Sequence, residues 1–138
     1  MEIKLITGAN LYTKKLLSSI ENINKLKQIV WFSNDWITAN HYSEGSILEF
    51  TIDIKPSDLM IYVENEKELP QNYTYGKAEI ITPQADWYSF SRDYLETHTK
   101  SIKCLSEQEC KQKYKGNKKW QFTEIPYIQQ LMEKNSKT

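Results

Sequence analysis

The sequence predicts a single α+β domain built on a β-sheet with packed helices. Apolar and polar residues alternate in several short segments, which is typical of half-buried strands. One longer segment repeats apolar residues at helical spacing, and the two kinds of segment alternate along the chain. With 138 residues the chain has the ordinary size of one domain, so residues 1–138 are predicted to form a single domain.

The first strand is predicted at the start of the chain, where Ile3 and Leu5 alternate with charged residues and Ile6 follows. We expect this strand to stop at the turn Thr7–Asn10. Over residues 11–27 the apolar side chains recur three or four positions apart. This spacing predicts one amphipathic helix that buries a single face.

A continuous β-favouring run over residues 28–33 predicts a buried second strand. Asn34 or Asp35 can then cap a short helix that ends at Gly45. The inner face of this helix is expected to carry Trp36, Ala39 and Tyr42.

The clearest strand covers residues 48–54, where Leu, Phe and two Ile alternate with Glu, Thr and Asp. A turn or helical loop is expected over 56–62, and an exposed loop over 64–76. Residues 77–82 predict another strand. The aromatic segment 87–95 fits either a helix or a loop.

The last third of the chain contains a Lys-rich segment, residues 100–119, with seven Lys and two Glu. It predicts a short helix followed by a turn at Gly116–Asn117. A final strand at 120–122 and a C-terminal helix over 125–132 complete the predicted elements.

Composition excludes several classes of protein. The formal net charge is zero, which argues against a uniformly basic nucleic-acid binder, and the one Arg among eighteen basic residues leaves little capacity for bidentate phosphate binding. Two Cys and two well-separated His do not make a zinc site, so no metal is expected. Apolar runs of about four residues are too short to span a membrane.

The N-terminus lacks the apolar run of a signal peptide, which favours a cytoplasmic protein. In that compartment Cys104 and Cys110 are expected to be reduced thiols, although a disulfide between them is the alternative. Familiar catalytic signatures are absent from the sequence: it has no phosphate-binding Gly-rich loop, no HExxH motif and no nucleophile elbow.

Three segments together resemble a known family. Thr7-Gly8-Ala9 follows the first strand, Trp31-Phe32-Ser33-Asn34-Asp35 leads into a helix ending in Ala39-Asn40-His41-Tyr42, and Lys77-Ala78-Glu79-Ile80-Ile81-Thr82-Pro83 follows a loop. This order resembles the ADP-ribosyltransferases, in which the first strand ends in His-Gly or Arg-Gly, an aromatic-Ser/Thr turn precedes a helix with Ala-x-x-Tyr, and a late strand carries a catalytic Glu. The resemblance covers roughly residues 3–83.

The resemblance implies a split, mixed or antiparallel sheet flanked by helices, with NAD bound as a substrate in an extended cleft. It implies that Glu79 is catalytic and stabilises the positive charge that develops on the ribose. Tyr42 would stack on nicotinamide. Thr7, Gly8 and Ser33 would line the cleft.

Each of these residues also has an ordinary structural interpretation. Glu79 fits a solvent-facing strand carboxylate. Tyr42 fits a core aromatic, and Ser33 fits a helix-entry residue. Arg92 could meet a pyrophosphate or pair with Asp93, and the ion pair is the favoured interpretation.

The sequence also departs from the family pattern at two positions. Thr7 stands where the family has His or Arg, so a contact to the adenine-side ribose would be made differently. Lys77 would repel a guanidinium, which argues against arginine as the modified residue. The implied activity is transfer of ADP-ribose to a macromolecule, with protein favoured over nucleic acid.

Two alternatives come from other classes of function. Nine Tyr and four Trp could anchor a non-enzymatic binding or inhibitor protein on a protein partner. The Lys-rich segment could contact nucleic acid through phosphate neutralisation and base stacking, although a solvated Lys-rich face is the more ordinary interpretation.

Overall fold

A computed structural model describes residues 2–55, 59–61, 78–80 and 88–115 of the chain, with 59–61 and 78–80 described at the level of the backbone. The strands are β1 Glu2–Ala9, β2 Ile29–Phe32, β3 Ser46–Asp53, β4 Leu59–Ile61, β5 Ala78–Ile80, β6 Tyr88–Ser91 and β7 Thr99–Leu105. The α-helices are α1 Leu11–Leu16, α2 Trp36–His41, α3 Arg92–His98 and α4 Glu107–Tyr114, and a 3₁₀ helix covers Ile20–Lys25.

The strands form two sheets. In the first sheet β3 lies between β1 and β7, and both pairings are antiparallel. The second sheet has the order β2-β6-β5-β4, with parallel pairing only between β5 and β4. The predicted α+β class, with antiparallel sheets and packed helices, is confirmed.

Within the described residues, one β-bridge joins the two sheets. The Ile6 amide donates to the Ser33 carbonyl at 2.9 Å, and the Ser33 amide donates to the Ile6 carbonyl at 2.8 Å. Beyond this bridge β1 and β2 belong to different sheets. The end of β1 and the end of β2 are therefore held together while the sheets separate beside them.

The larger hydrophobic core lies between the two sheets and the helical segment that follows β1. Phe32 of β2 contacts Phe50 of β3 and Phe90 of β6 edge-to-face, with ring centroids 4.9 and 5.5 Å apart. Leu17 and Ile23 close this core from the α1 side. Such aromatic contacts add to the stabilisation that burial of apolar surface provides. They also hold β2 against β3.

A second core lies on the opposite face of the first sheet, under α2 and α4. Its members are buried apolar side chains from both the sheet and the helices: Ile6, Ala39, Ile47, Leu105, Cys110 and Tyr114. Because both faces of the first sheet are covered, its central strand β3 buries its polar positions as well, and Glu49 is only 4% exposed.

The buried carboxylate of Glu49 is satisfied from α4. The Tyr114 hydroxyl donates to it at 2.5 Å and the Lys113 ammonium at 3.2 Å. A buried carboxylate needs such partners to offset its desolvation. Burial, and then the hydrogen bond to Glu49, raise the pKa of Tyr114 above its ordinary value, so this hydroxyl stays protonated.

Three sequence predictions about local structure are confirmed. β2 and β3 occur where the β-favouring run and the clear alternation predicted them. Asp35 caps α2, since its carboxylate accepts from the Thr38 amide at 3.2 Å. The predicted end of this helix at Gly45 is wrong: α2 ends at His41, and Gly45, with a positive φ of 106°, lies in the connection between α2 and β3.

The expected end of the first strand at Thr7 is wrong. Thr7, Gly8 and Ala9 continue β1 and pair with Leu48, Ile47 and Ser46. The turn-like composition was misleading, because Gly8 is needed for a different reason: α2 ends directly against it. A Cβ at Gly8 would lie 2.7 Å from the Ser43 Cα.

The single helix predicted over residues 11–27 is also wrong. The helix stops after Leu16, and the 3₁₀ helix begins at Ile20. The Ser18 hydroxyl donates to the Lys15 carbonyl, and the Asn22 side chain donates to the Leu16 carbonyl. These side-chain hydrogen bonds satisfy carbonyls that a continuing helix would have used.

The second half of the described chain adds elements that the sequence left open. Residues 88–91 form a strand, β6, so the expectation of a helix or a loop there is wrong, whereas residues 92–98 form a helix, α3. The Lys-rich segment contains the expected helix, α4, and also an unexpected strand, β7. The exposed loop predicted over 64–76 and the elements predicted at 116–132 lie outside the described residues.

The two cysteines differ sharply in environment. Both are free thiols; Cys104 is exposed on β7 and Cys110 is buried on α4. Burial, and then the nearby Glu49 and Asp35 carboxylates, raise the pKa of Cys110 to about 12. Its thiolate, the reactive form, is therefore scarce at neutral pH.

We accordingly expect iodoacetamide to alkylate Cys104 and to leave Cys110 unmodified in the native protein at mildly alkaline pH. Mass spectrometry of peptides from native and denatured samples measures this directly. The denatured sample, in which both thiols should react, is the control. Equal modification of the two thiols in the native protein would contradict the burial of Cys110 on the inner face of α4.

Candidate functional site

A cleft in the described part of the chain opens where the two sheets separate, between β1, β2, α1 and the end of α2. Its volume is about 880 Å³. Its walls are largely apolar and include Val30, Phe32 and Phe50 from the strands. Thr7, Gly8, Ser33 and Tyr42, the four residues predicted to contact NAD, all line it.

Thr7 lies near the end of β1 and fastens the two sheets together. Its hydroxyl donates to the carbonyl of Trp31 on β2 at 2.8 Å. This side chain therefore acts within the wall of the cleft. It does not present the cationic or imidazole group that the family pattern has at this position.

Gly8 allows the end of α2 to pack directly on β1. The nearest neighbours of a Cβ at this position would be backbone atoms: the Ser43 Cα and amide nitrogen and the Ala39 carbonyl, all within 2.9 Å. Backbone atoms cannot rotate away as a flexible side chain can. The missing side chain thus positions α2, and with it Tyr42, beside the cleft.

Ser33 is almost completely buried, with 1% of its surface exposed. Its backbone forms the bridge to Ile6, and its hydroxyl accepts a hydrogen bond from the Asp35 amide at 3.1 Å. Ser33 thereby supports the start of α2, as its structural interpretation as a helix-entry residue predicts. The same residue also contributes to the cleft wall.

Tyr42 follows the last residue of α2 and is 64% exposed. The interpretation of Tyr42 as a core aromatic is therefore wrong. The helix ends at His41, one residue before Tyr42, and the His41 and Tyr42 rings meet edge-to-face at 4.9 Å. A solvent-exposed aromatic ring at the mouth of a cleft can stack on a planar ligand.

Glu79 lies on β5, which is two strands away from β2. In the sheet register Glu79 is opposite Ser89 of β6, and Ser89 is opposite Trp31 of β2. Two strand spacings separate the Cα atoms of Glu79 and Trp31 by roughly 10 Å. Trp31 lines the cleft, so β5 belongs to the sheet that forms one cleft wall. The side chain of Glu79 lies outside the described residues.

Sequence reasoning missed several residues that line the cleft. Tyr12 of α1 is exposed at its mouth, and Lys25, Lys27 and Glu44 also contribute to the lining. A tyrosine or lysine on a polar helix face carries no sequence signal that separates a cleft residue from an ordinary surface residue. The break in the predicted helix is what brings Lys25 next to β2.

The described part of the Lys-rich segment is largely neutralised by carboxylates. Four of its five lysines form ion pairs, with Glu2, Glu109, Glu107 and Glu49 as partners of Lys100, Lys103, Lys111 and Lys113. Lys111 also lies 4.8 Å from the Trp36 ring centroid. These contacts favour a solvated structural surface over phosphate binding in this part of the chain.

Neither a metal cluster nor a membrane-spanning helix is found in the described ranges. Nowhere in them do three or more His, Cys, Asp or Glu side chains cluster in a way that could hold a metal ion. Their helices are too short and too polar for any of them to cross a lipid bilayer.

Comparison with known proteins gives no match: no family model, no curated protein and no solved structure aligns with this chain. Any functional interpretation therefore depends on the cleft itself, on the residues that line it and on the resemblance of the three short segments.

Proposed function

We propose that this protein binds NAD in the cleft between its two sheets and transfers ADP-ribose from NAD to a macromolecular target. The observation that carries this proposal is the convergence of Thr7, Gly8, Ser33 and Tyr42 on one cleft. These residues come from the first two of the three segments that resemble ADP-ribosyltransferases. Two sheets that separate beside the Ile6–Ser33 bridge also agree with the split sheet of that family.

The cleft has the general properties of a site for a small ligand. Its volume of about 880 Å³ falls in the usual range for ligand pockets, roughly 300–1,000 Å³. Apolar walls suit the flat rings of a dinucleotide, and Tyr42 offers an exposed ring for stacking. A cationic nicotinamide gains additionally from the negative face of a tyrosine ring.

The proposed reaction breaks the bond between the nicotinamide nitrogen and C1′ of its ribose. Nicotinamide leaves with the bonding electron pair, and a nucleophile of the target forms a new bond to C1′ while giving up a proton. Positive charge develops on the ribose as the old bond breaks, and a nearby carboxylate stabilises it. Glu79 is the residue assigned to this role, on the basis of the family resemblance.

The activity is tested by incubating the protein with NAD labelled in its adenylate part, with and without a cell extract as a source of targets. Release of nicotinamide together with transfer of label to macromolecules is expected. Neither nicotinamide release nor transfer, in a protein that is shown to be folded, would contradict the proposed activity.

Replacing Tyr42 by Ala is expected to weaken NAD binding about tenfold, which corresponds to the contribution of one aromatic stacking contact. The stability of the fold should change little because this ring is exposed. Calorimetric titration with NAD measures the affinity. Ile37→Ala is the matched control, since Ile37 is similarly exposed on α2 and does not line the cleft; equal losses in the two variants would contradict a role for Tyr42.

A non-enzymatic protein-binding function is the second candidate, and one observation favours it. Four large apolar side chains on or beside α1 and α2 are at least 60% exposed: Leu11, Tyr12, Ile37 and Tyr42. Exposed aromatic and aliphatic residues are common anchors at protein interfaces. This alternative would be supported if the folded protein does not bind NAD and if substitution of Leu11 and Tyr12 abolishes its binding to a protein partner.

A further inference from the structure

The lip of the cleft formed by the 3₁₀ helix and the start of β2 carries two lysines. Lys25 and Lys27 are both exposed and both line the cleft, whereas Glu44 is the one carboxylate residue in the described lining. Within the described ranges neither lysine forms an ion pair, in contrast to the paired lysines of the Lys-rich segment. This lip is therefore locally cationic in a chain of zero net charge.

The backbone that carries these two lysines is firmly held. The guanidinium of Arg92 donates to the Leu26 carbonyl at 3.2 Å, and the Arg92 amide donates to the Gln28 carbonyl at 2.8 Å. Leu26 also packs against the larger core, and its amide donates to the Ile23 carbonyl at 3.0 Å. Lys25 and Lys27 flank the anchored Leu26. Because the backbone around them is already held, ligand binding costs little further conformational entropy there.

Arg92 itself is engaged in this anchoring. Its Nε lies 4.0 Å from the Asp93 carboxylate, in agreement with the ion pair favoured by the sequence analysis. Its Nη1 donates a hydrogen bond to the Leu26 carbonyl. A direct contact between this guanidinium and a bound phosphate is therefore not its main role. It acts as a positioning residue for the lysine lip.

We infer that Lys25 and Lys27 bind the phosphate groups of the ligand in this cleft, which, on the proposed function, are the pyrophosphate of NAD. Lysines are suited to this task as point charges that need no fixed bidentate geometry. Apolar walls and Tyr42 would hold the rings, while the lysine lip would hold the anionic centre of the dinucleotide. This division explains how a chain with one Arg could recognise a dinucleotide.

The test is calorimetric titration of NAD into the wild-type protein, the Lys25→Gln/Lys27→Gln variant and a matched Lys14→Gln/Lys15→Gln control. Lys14 and Lys15 are exposed on α1 and do not line the cleft, so both variants lose the same charge. The Lys25→Gln/Lys27→Gln variant should bind NAD about tenfold more weakly at low ionic strength, and the difference should shrink as salt is added. The control should bind NAD like the wild type.

The possible outcomes separate the inference from the function on which it rests. Equal NAD affinity in all three proteins would overturn the role of Lys25 and Lys27 and leave the proposed function standing. An equal loss in both variants would also overturn it, because the effect would then reflect net charge alone. Absence of NAD binding to the folded wild-type protein would overturn the proposed function together with the inference.

Discussion

Replacing Glu79 by Gln is expected to lower the rate of nicotinamide release from NAD by about two to three orders of magnitude, the usual effect of removing one transition-state-stabilising group. The amide keeps the shape of the side chain and removes its negative charge. The positive charge that develops on the ribose would then lose its counter-charge. NAD affinity should change far less than the rate, because the charge develops mainly in the transition state.

The rate is measured by chromatography of released nicotinamide, and the affinity by calorimetry. Glu96→Gln is the matched control, since Glu96 is an exposed carboxylate on α3 outside the cleft lining. Its rate should equal that of the wild type. Unchanged turnover in the Glu79→Gln variant would remove this residue from the mechanism, and an equal loss in both variants would point to a general effect of charge.

Replacing Gly8 by Ala is expected to destabilise the fold by about 1–3 kcal/mol, the typical cost of overpacking a close contact. The three nearest atoms to the new Cβ would be backbone atoms of Ala39 and Ser43, all within 2.9 Å. The end of α2 must then move away from β1. Because Tyr42 follows this helix, NAD affinity should fall as well.

Chemical denaturation measures the change in unfolding free energy for Gly8→Ala. Gly45→Ala serves as a comparison, since a Cβ there meets nothing within 4 Å and only the positive φ of 106° opposes it. Its cost should be about 1–2 kcal/mol, from backbone strain alone. A Gly8→Ala protein with unchanged stability would show that α2 does not rest on β1 as closely as described.

Local sequence patterns predicted the structure correctly where a single interaction dominates a segment. The alternation in β3 and the capping by Asp35 were both predictable, because the two-residue period of a strand and the satisfaction of the first helical amides act within a few residues. Neighbouring elements decided the remaining cases. Gly8 looks like a turn residue until α2 is seen to press on it, and the exposed Lys residues of β7 concealed a strand that is completed by pairing with β3.

The candidate site could be predicted only in part for the same reason. The order of three short segments was enough to select Thr7, Gly8, Ser33 and Tyr42, which share one cleft. The position of β6 between β2 and β5 depends on pairing between segments far apart in the chain. Lys25 reaches the cleft only because the helix breaks after Leu16, and side-chain hydrogen bonds of that kind are hard to anticipate from spacing.

The central claim is that NAD occupies the cleft between the two sheets, and hydrogen exchange with and without NAD tests it most directly. Saturating NAD is expected to slow amide exchange in peptides covering residues 7–12 and 31–42, which carry the proposed contacts. Peptides covering 107–114 on α4 should exchange at the same rate in both samples. Unchanged exchange across the cleft peptides, or protection confined to α4, would contradict the claim.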